Sequence, residues 1–512
     1  MFLATWLLSD ILATVVLVGA GLYLYYKLYV YKFWSKRRVF YIEPTFPVGN
    51  IMPIITGKTS LAEFFRDKYE QNKQHRLVGI YMLHKPFLLV NDPDLIRDVL
   101  TKEFSNFHDR GIFCNKETDP LSGNLFQLPG KKWRHLRVKL TPTFTSGKIK
   151  QIFPILTETG NMMEKFFNDK AQTRSTVDVK DIFSRYSVDI IMSAAFGITC
   201  NSFENPNNEF MYWGKKIFDP KPFWNALILW APQVFDMFSL SYNEKDVTNF
   251  FTNMFKETVE YRQSRKIERK DFLNLLIQLM RNGYVEPDDT SENVNISTSK
   301  LLMSEAAAQA YVFYLAGFET SSTTATFCLY ELAKDQDIQN KVRDEIRTQI
   351  KKHGELSYAA VQDMEYLHKV ISETLRKYPP VVILNRVCTK ETQLKTTNFS
   401  IPVGTSLAIP VFGIHRDPDV YPEPNKFDPE RFSEENIKAR HPYNYLPFGE
   451  GPRICIGLRF GLIQTKVAVI NALLNNKFKL APDTPTSLEF EGGTLILMAK
   501  GGVQLTIEPL GC

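Results

Sequence analysis

The sequence predicts a mainly α-helical chain with small β-sheets, an α+β fold class. The clearest observation is the run 304–334, which is apolar nearly all round and far longer than an average helix of about 11–12 residues. Such a helix is expected to be buried through the middle of the molecule. Residues 338–353 and 458–474 have the apolar spacing of two further helices, and alternating stretches at 76–92 and 387–412 predict short strands.

Length and composition allow a large core. The chain has 512 residues, 44% of them hydrophobic, which suffices for one large domain or for two to three smaller ones. The net charge of +6 is small for this size and does not suggest a nucleic-acid partner. The six cysteines form no Cys-x-x-Cys pair, which argues against a zinc site and a disulfide scaffold and favours a reducing compartment.

Residues 1–26 predict a membrane anchor. They carry one charge, Asp10, and approach the roughly 20 residues needed to span a bilayer. The basic and tyrosine-rich segment that follows is expected to stay on the cytosolic side. A cleaved signal peptide is the alternative, but there is no basic stretch before the apolar run, and that run continues past the weak site at 18–20. Residues 27–50, with Pro44 and Pro47, predict a stiff hinge before a globular part, 51–512.

Four stretches before the long helix lack a clear helical period. Residues 76–92 predict a β-hairpin with its turn near residues 84–86. Residues 104–130 predict a surface loop. Residues 205–243 are rich in aromatic residues and contain four prolines, which makes one long buried helix improbable. Residues 281–300 are polar and predict a solvated linker.

Several charged or polar residues recur at helical spacing. Trp133 and Arg137 are four apart and share one helix face, as an ordinary amphipathic surface helix also allows. The long helix contains Ala316-Gly-Phe-Glu-Thr320, where a mid-helix glycine costs about 1 kcal/mol relative to alanine. Packing against another helix is the plain explanation of that glycine. Glu373 and Arg376 are three apart, which is common for surface ion pairs.

The stretch Phe448-Gly-Glu-Gly-Pro-Arg-Ile-Cys-Ile-Gly457 carries the strongest chemical signal. Its glycines permit close approach of a flat ligand to the backbone. Cys455 lies just before a predicted helix and two residues after Arg453, an environment that favours a thiolate and hence a soft metal, with haem iron as one candidate. A tight turn with a buried cysteine is the alternative.

The pattern Phe-x-x-Gly-x-Arg-x-Cys-x-Gly at 448–457 resembles the haem-binding loop of cytochromes P450. The Trp-x-x-x-Arg, Ala-Gly-x-Glu-Thr and Glu-x-x-Arg motifs and Pro429-Glu-Arg-Phe432 follow the order of that family and extend the resemblance over about 40–512. Segments 141–150 and 384–386 look closest to insect P450s of the xenobiotic-metabolising type. The resemblance implies one P450 haem domain, with haem between the long helix and the Cys455 loop.

The resemblance also assigns roles to residues. It implies that Cys455 is the axial ligand of the haem iron and that Thr320 and Glu319 manage protons. It implies contacts to the haem, including its propionates, from Trp133, Arg137, Arg386, Arg453, Phe448 and Ala316, with His108 as a further candidate. It implies a structural clasp of Glu373, Arg376 and Arg431. It implies a substrate pocket with a roof at 104–130 and a flexible lid at 205–243 that also touches the membrane. The implied pocket is lined by Phe113, Leu121, Phe126, Val312, Leu315, Ala316, Val381 and Val382, with 496–498 nearby.

The implied activity is monooxygenation, the insertion of one oxygen atom from O2 into apolar small molecules such as plant toxins or insecticides. A hormone-biosynthetic monooxygenase, a haem-thiolate isomerase or lyase, and a non-catalytic haem protein are the alternatives. The cofactor would be haem b. The sequence has no nucleotide or flavin fingerprint, so electrons would come from NADPH through a separate NADPH-cytochrome P450 reductase, with cytochrome b5 as a further candidate donor.

The same resemblance places the protein in the cell. A single N-terminal anchor in the endoplasmic reticulum (microsomal) membrane, with the catalytic domain facing the cytosol, is expected. Lys131, Lys132, Arg134 and Lys139 are expected to offer a basic docking face to an acidic electron donor.

Overall fold

The computed structural model describes residues 2–269, 271–283, 299–394, 397 and 399–510. Most of the linker predicted at 281–300 lies outside these residues. Within them the α-helices are α1 (Phe2–Leu28), α2 (Phe33–Lys36), α3 (Met52–Ile55), α4 (Leu61–Asn72), α5 (Pro93–Arg97), α6 (Gly130–Leu140), α7 (Ser146–Gln172), α8 (Val179–Ile191), α9 (Glu209–Phe218), α10 (Pro222–Trp230), α11 (Pro232–Met237), α12 (Lys245–Arg265), α13 (Phe272–Arg281), α14 (Met303–Lys334), α15 (Gln336–His353), α16 (Tyr358–Gln362), α17 (Glu365–Lys377), α18 (Val411–Ile414), α19 (Glu434–Ala439) and α20 (Leu458–Leu473).

The strands form small sheets, as predicted. They are β1 (Leu77–Met82), β2 (Lys85–Val90), β3 (Thr176–Asp178), β4 (Leu384–Val387), β5 (Thr392–Gln393), β6 (Ser400–Ile401), β7 (Ser406–Ile409), β8 (Asn476–Leu480) and β9 (Gln504–Pro509). The sheet orders are β1-β2-β7-β4, β3-β9-β8 and β5-β6.

The predicted hairpin is present, with its turn slightly earlier than expected. Met82 pairs with Lys85, so Leu83 and His84 form the turn, and Leu83 adopts a left-handed φ of 58°. Pro86 lies inside β2, opposite Tyr81. The pairing of β2 with β7 covers Phe87 to Leu89, beyond the proline that lacks an N–H to donate.

Helix α14 runs through the middle of the molecule, as its apolar sequence predicts. Most of its side chains are buried, and it packs against α8, α12, α17 and α20. The close contact with α8 explains one glycine, because a Cβ at Gly317 would lie 2.6 Å from Ile191 Cδ1. The small residue therefore lets the two helices approach, which is the packing role that the sequence left open.

The aromatic region at 205–243 forms three short helices, α9, α10 and α11. Pro222 and Pro232 occupy the first positions of α10 and α11, where their missing N–H costs nothing. Helix α9 lies against α14, with Tyr314 donating its hydroxyl to Phe210 O at 2.6 Å. A Cβ at Gly214 would lie 2.4 Å from that hydroxyl, so the glycine sets the closeness of this contact.

The N-terminal segment is a long helix followed by a docked turn. Within the described part of the chain, the stretch Asp10–Lys36 is long and apolar enough to cross a membrane, and the side chains of its most apolar 18-residue window are not buried in the protein. Near the end of this stretch, Trp34 is fully buried and donates Nε1–H to Ile80 O at 3.1 Å. A Cβ at Gly79 would lie 2.5 Å from Trp34 Cγ, so this glycine makes the seat for the indole.

Residues 30–50 pack on the edge of the β1–β2 sheet. Tyr41 pairs with Gly79 as an isolated bridge, and Gly49 pairs with Met82. Tyr31 is buried, and its hydroxyl accepts a hydrogen bond from Gly49 N at 3.2 Å. The segment expected to be a hinge is thus in contact with the sheet over much of its length, while the division into anchor, hinge and globular domain stays a prediction.

Candidate active site

A central cavity of about 800 Å³ lies beside α14. Its walls come from α14, from the loop before α20, from α6 and β4, and from the roof and lid segments at 104–130 and 205–243. Residues distant in sequence therefore meet around one cavity, which is the usual setting of a small-molecule site.

The loop at 446–457 forms one wall of this cavity as a tight turn. Cys455 N donates to Phe448 O at 2.9 Å, and Ile454 N donates to Gly451 O at 2.9 Å. Gly451 has a φ of 74°, and a Cβ there would lie 2.0 Å from Leu100 O, so only glycine fits. The turn ends at Gly457, and α20 begins at the next residue.

The Cys455 side chain is open to the cavity interior. Burial inside the protein raises the pKa of its thiol, while the Gly457 N–H and the charges of Arg137 and Arg110 lower it. The sequence argument expected the helix terminus and Arg453 to favour the thiolate. In the structure desolvation outweighs the favourable terms, and the cations that act on the sulfur are Arg137 and Arg110. A metal cation at the sulfur would reverse this balance.

Four of the arginines that line the cavity lie close enough to affect one another's charge or that of Cys455. Arg137 comes from α6, Arg386 from β4, Arg453 from the cysteine loop and Arg110 from the roof segment. Burial lowers the pKa of Arg386 to about 10 and that of Arg453 to about 9, and the repulsion between these two guanidinium groups lowers the second further. Burial also lowers the pKa of Arg110 well below its ordinary value, with Arg453 and Arg386 adding repulsion.

Among the described residues, the four arginines of this wall, which we call the arginine wall, have one carboxylate within 4 Å, that of Asp109. Arg453 Nη1 and Arg386 Nε are buried without a hydrogen-bond partner. Arg453 also stacks over the Trp133 ring at 4.0 Å and lies 3.7 Å from Asp109 Oδ1. Buried cations with open donors suit a ligand that brings carboxylates, because only anions relieve both the repulsion and the missing hydrogen bonds.

The opposite wall belongs to α14. Ala316 and Thr320 line the cavity, and the Thr320 hydroxyl donates to Ala316 O at 2.6 Å. Thr324 repeats this pattern one turn later, donating to Thr320 O at 2.8 Å. The cavity thus has a thiol on one side, a short ladder of hydroxyl groups on the other, and a cationic edge.

Comparison with known families identifies this arrangement. The model of the family described as Cytochrome P450 matches residues 43–507. The chain belongs to the cytochrome P450 family. It is an enzyme of the monooxygenase class, and membership implies a haem cofactor, dioxygen and a redox partner.

The relatives of this P450 include several insect proteins. The chain is 39% identical over 509 residues to "Probable cytochrome P450 6a23" of Drosophila melanogaster, covering 98% of this chain and 99% of the relative. It is 38% identical over 508 residues to "Cytochrome P450 6k1" of Blattella germanica, covering 97% and 96%. It is 37% identical over 505 residues to "Cytochrome P450 6A1" of Musca domestica, covering 96% and 97%.

The cavity of this P450 fits haem. The residues assigned to haem contact line it, namely Cys455, Trp133, Arg137, Arg386, Arg453, Phe448 and Ala316, whereas the further candidate His108 does not. The two propionates of haem would supply carboxylates to the arginine wall, and Cys455 would supply a thiolate ligand to the iron. Among the described residues, no group of three or more His, Cys, Asp and Glu side chains could hold a metal ion.

Glu319 lies on a different face of α14 from Thr320. Its carboxylate is 3% exposed, does not line the cavity, and lies 2.8 Å from Lys180 Nζ on α8. Thr323 donates a second contact at 3.2 Å, and Lys180 also donates to Ser322 Oγ at 2.6 Å. The sequence expectation that Glu319 relays protons therefore stays a prediction, and in this conformation its carboxylate is held by a buried ion pair.

The three residues of the expected clasp are brought together. Arg376 binds Glu373 with two hydrogen bonds of 2.6 and 2.8 Å, and both side chains are fully buried. Arg431 Nε lies 3.5 Å from Glu373 Oε1, and its Nη2 donates to Pro422 O at 2.5 Å. Arg376 also donates to His415 O at 2.8 Å. The clasp therefore joins α17 to the backbone that leads to the cysteine loop.

The expected pocket residues divide into two groups. Phe126, Val312, Leu315, Ala316, Val381 and Val382 line the cavity, as does Ile496. The lining does not include Phe113, which packs at 4.8 Å against Phe235, or Leu121, which is fully buried in the core beside α14. Both side chains point from the aperiodic roof segment into packed core, so they support the cavity without facing it.

Sequence reasoning missed Arg110. It follows two residues that the structure uses for positioning, since His108 O accepts from Arg453 Nε at 2.8 Å and the His108 ring contacts Asp109 at 2.7 Å. Arg110 itself donates to Phe126 O at 2.8 Å and stacks on that ring. The cation two residues after His108, in an aperiodic segment rich in aromatic residues, is the signal that could have found it.

Proposed function

We propose that this P450 inserts one oxygen atom into apolar small molecules of the xenobiotic type, such as plant toxins or insecticides. The observation that carries the proposal is a single cavity with Cys455 on one wall, Thr320 on the other and a large, mostly apolar space above them. Such a space accepts substrates by shape and hydrophobic contact more than by specific hydrogen bonds.

The chain supplies binding and orientation. Cys455 would ligate the iron, Arg137, Arg386, Arg453 and Arg110 would neutralise the propionates, and Trp133 would brace Arg453 through ring stacking. When bound, haem supplies the activation of dioxygen. Val381, Val382 and Ile496 form the apolar wall that holds a substrate, and their lack of polar atoms excludes water from the reacting centre.

Proton handling falls to Thr320 and its neighbours. The Thr320 hydroxyl already donates to Ala316 O, so it must rotate to offer its proton toward the cavity. Glu319 lies next to it in sequence and is held by Lys180. We propose that Glu319 delivers protons only when this ion pair opens, so Lys180 restrains the Glu319 carboxylate until then.

Electrons are proposed to come from NADPH through NADPH-cytochrome P450 reductase, with cytochrome b5 as a second candidate donor. Lys131, Lys132 and Arg134 are exposed on α6, the helix that also carries Trp133 and Arg137 into the cavity. They therefore offer a cationic surface close to the cofactor site. Lys139 does not belong to this surface, because it is buried and bound to Ser299.

Membrane attachment is proposed through α1, with the globular part on the cytosolic face of the endoplasmic reticulum. The exposed apolar side chains of this helix and the basic residues that follow it support this placement. Residues 1–26 would be the anchor, 27–50 the connection, and 51–512 the haem domain.

The second candidate function is a hormone-biosynthetic monooxygenase, which the same chemistry would serve. An isomerase or lyase is disfavoured, because Thr320 faces the cavity where an oxygen-activating P450 needs a hydroxyl. The test is to incubate the reductase-coupled protein with a panel of toxins, insecticides and steroids and to identify products. Oxidised toxins would support the proposal, oxidation of steroids alone would favour the second candidate, and rearranged products without NADPH use would overturn monooxygenation.

A further inference from the structure

The part of the cavity farthest along α14 from Thr320 is polar. Tyr311 lines it nine residues before Thr320, which is about 13.5 Å along a helix that rises 1.5 Å per residue. Tyr242 and Asn243, at the end of the lid, and Asn225 on α10 line the same end. We call these four side chains the polar ceiling. They contrast with the aliphatic wall nearer to Cys455.

The polar ceiling is a fixed network. Tyr311 donates its hydroxyl to Asn243 Oδ1 at 2.5 Å, and Tyr242 donates its hydroxyl to Asn225 Oδ1 at 2.7 Å. Asn225 is held from behind by a hydrogen bond from its Nδ2 to Gly493 O at 2.7 Å. Asn225, Asn243 and Tyr311 are each more than nine-tenths buried, so these orientations are set by the fold.

The carboxylate of Asp119 stands behind the ceiling. This side chain is fully buried, and it accepts from the backbone N and from Nδ2 of Asn243, each at 3.0 Å. These two donors are neutral amide groups, so they do not neutralise the negative charge of Asp119 beside the polar ceiling. Burial first and the charge of Asp119 second raise the pKa of Tyr242, and both also raise that of Tyr311, so both phenols stay protonated.

Counting donors and acceptors shows what the ceiling can bind. Each tyrosine has committed its single proton, so the two phenol oxygens offer only lone pairs to a ligand. The Nδ2 of Asn225 has one hydrogen committed to Gly493 O and keeps a second. A hydroxyl group matches this pattern because it both donates and accepts. An ether or a carbonyl can only accept, and an ammonium can only donate.

We propose that the polar ceiling is a subsite for a hydroxyl group at one end of an otherwise apolar substrate. The proposal rests on the proposed monooxygenase function and narrows its substrate class to long aliphatic or polycyclic alcohols. Because the ceiling is rigid, it fixes the substrate oxygen at a set distance from Thr320. Oxidation then falls at a constant count of carbons from the hydroxyl, whatever the length of the remaining chain.

The test uses the haem-loaded, full-length protein with a series of straight-chain primary alcohols and their methyl ethers. Calorimetry measures binding, and product analysis in the reductase-coupled system locates the oxidised carbon. We expect alcohols to bind at least fivefold more tightly than their ethers, and the oxidised carbon to stay at one count from the hydroxyl. Oxidation that tracks the terminal methyl group in every substrate would overturn the proposal.

Matched variants separate recognition from packing. Tyr242→Phe and Tyr311→Phe each remove one phenol oxygen and keep the ring, so each should cut the alcohol preference about fivefold, as loss of a net hydrogen bond of about 1 kcal/mol requires. The control is Tyr330→Phe on the same helix, whose hydroxyl donates to Pro485 O at 2.8 Å outside the cavity. It should leave the preference unchanged. If Tyr242→Phe and Tyr311→Phe weaken alcohol and ether binding equally, the polar ceiling has a structural role and does not recognise a hydroxyl group.

Binding by calorimetry and product analysis distinguish failure of the hydroxyl subsite from failure of the proposed monooxygenase function. If alcohols bind preferentially but no substrate is oxidised, the proposed function fails and the subsite stands. If ethers and alcohols bind alike while both are oxidised, the function stands and the subsite fails.

Discussion

Lys180 holds the acidic residue next to Thr320, and its removal has a stability cost that the structure predicts. Lys180 Nζ lies 2.8 Å from Glu319 Oε1, and the two side chains are 19% and 3% exposed. Replacing Lys180 with methionine keeps most of the side-chain volume but leaves the buried carboxylate with the Thr323 hydroxyl as its remaining side-chain hydrogen bond. Breaking a buried pair from one side costs roughly 3–5 kcal/mol, and the partial exposure of Lys180 favours about 3 kcal/mol.

A double-mutant cycle tests whether the cost arises from the lost partner. In Lys180→Met combined with Glu319→Gln, neither charge remains, so we expect about 2 kcal/mol of the loss to be recovered. The unfolding midpoints of the four haem-loaded proteins supply the cycle. Lys215→Met is the matched control, because Lys215 pairs with Asp181 at 2.8 Å but is 56% exposed and should contribute less than about 1 kcal/mol.

The same variants report on the proton relay. Lys180→Met frees Glu319 from its partner, so NADPH consumption should stay coupled to product at least as well as in the unaltered protein, while Glu319→Gln should uncouple it. If Lys180→Met and the double variant are destabilised equally, the ion pair is not the source of the cost. If Glu319→Gln leaves coupling unchanged, Glu319 has no part in proton delivery.

The remaining predictions concern the cofactor, the clasp and the anchor. Thr320→Val should retain haem but divert electrons from product, seen as excess peroxide per NADPH; unchanged coupling would remove its role. Arg110→Leu should speed haem loss to an acceptor protein about tenfold or more, since a charge-assisted hydrogen bond of about 1.5–3 kcal/mol is lost, whereas Arg134→Leu on the surface should not. Burial lowers the pKa of His415 to about 3, so the protein should lose about 2 kcal/mol of stability between pH 6.5 and 5, and His415→Gln should abolish that part of the slope. Deleting residues 1–28 should release the protein from membranes at high salt; continued binding would point to the lid.

The protein loses stability at low pH because the hydrogen bonds of His415 in the folded state hold its ring in the neutral form. Its Nε2 accepts from Leu446 N at 2.8 Å, and its Nδ1 contacts Arg376 O at 3.2 Å, so the folded protein holds the ring uncharged. The unfolded chain takes up a proton below about pH 6.5, and the folded chain does so only near pH 3. Stability is therefore complete above pH 6.5 and declines as the pH falls toward 3, measured as the unfolding midpoint across that range.

The parts of this P450 that periodic patterns govern were predictable from its sequence. Helix α14 and helix α20 follow from apolar spacing. The clasp was expected from the resemblance of Glu373-x-x-Arg376 and Pro429-Glu-Arg-Phe432 to P450 motifs, because the spacing of Glu373 and Arg376 alone is common for surface ion pairs. The roof segment has no period, so nothing local shows that Arg110 faces the cavity while Phe113 faces the core. The orientation of Glu319 toward Lys180 depends on how α8 packs on α14, a contact between residues far apart in sequence. The polar ceiling escaped prediction for the same reason.

The packing of Trp34 against the β1–β2 sheet, shortly after α1, is relevant to how the enzyme would be oriented at a membrane. An indole locked against Gly79 leaves the globular part little freedom to tumble relative to α1. The proposed docking surface and the cavity would then keep one orientation relative to the bilayer. The enzyme and a membrane-bound reductase would meet by diffusion in the plane of the membrane, with few relative orientations to sample. Shared attachment of this kind raises the effective concentration of partners without any new contact between them. The Trp34 side chain would thereby influence the rate at which the enzyme encounters its electron donor.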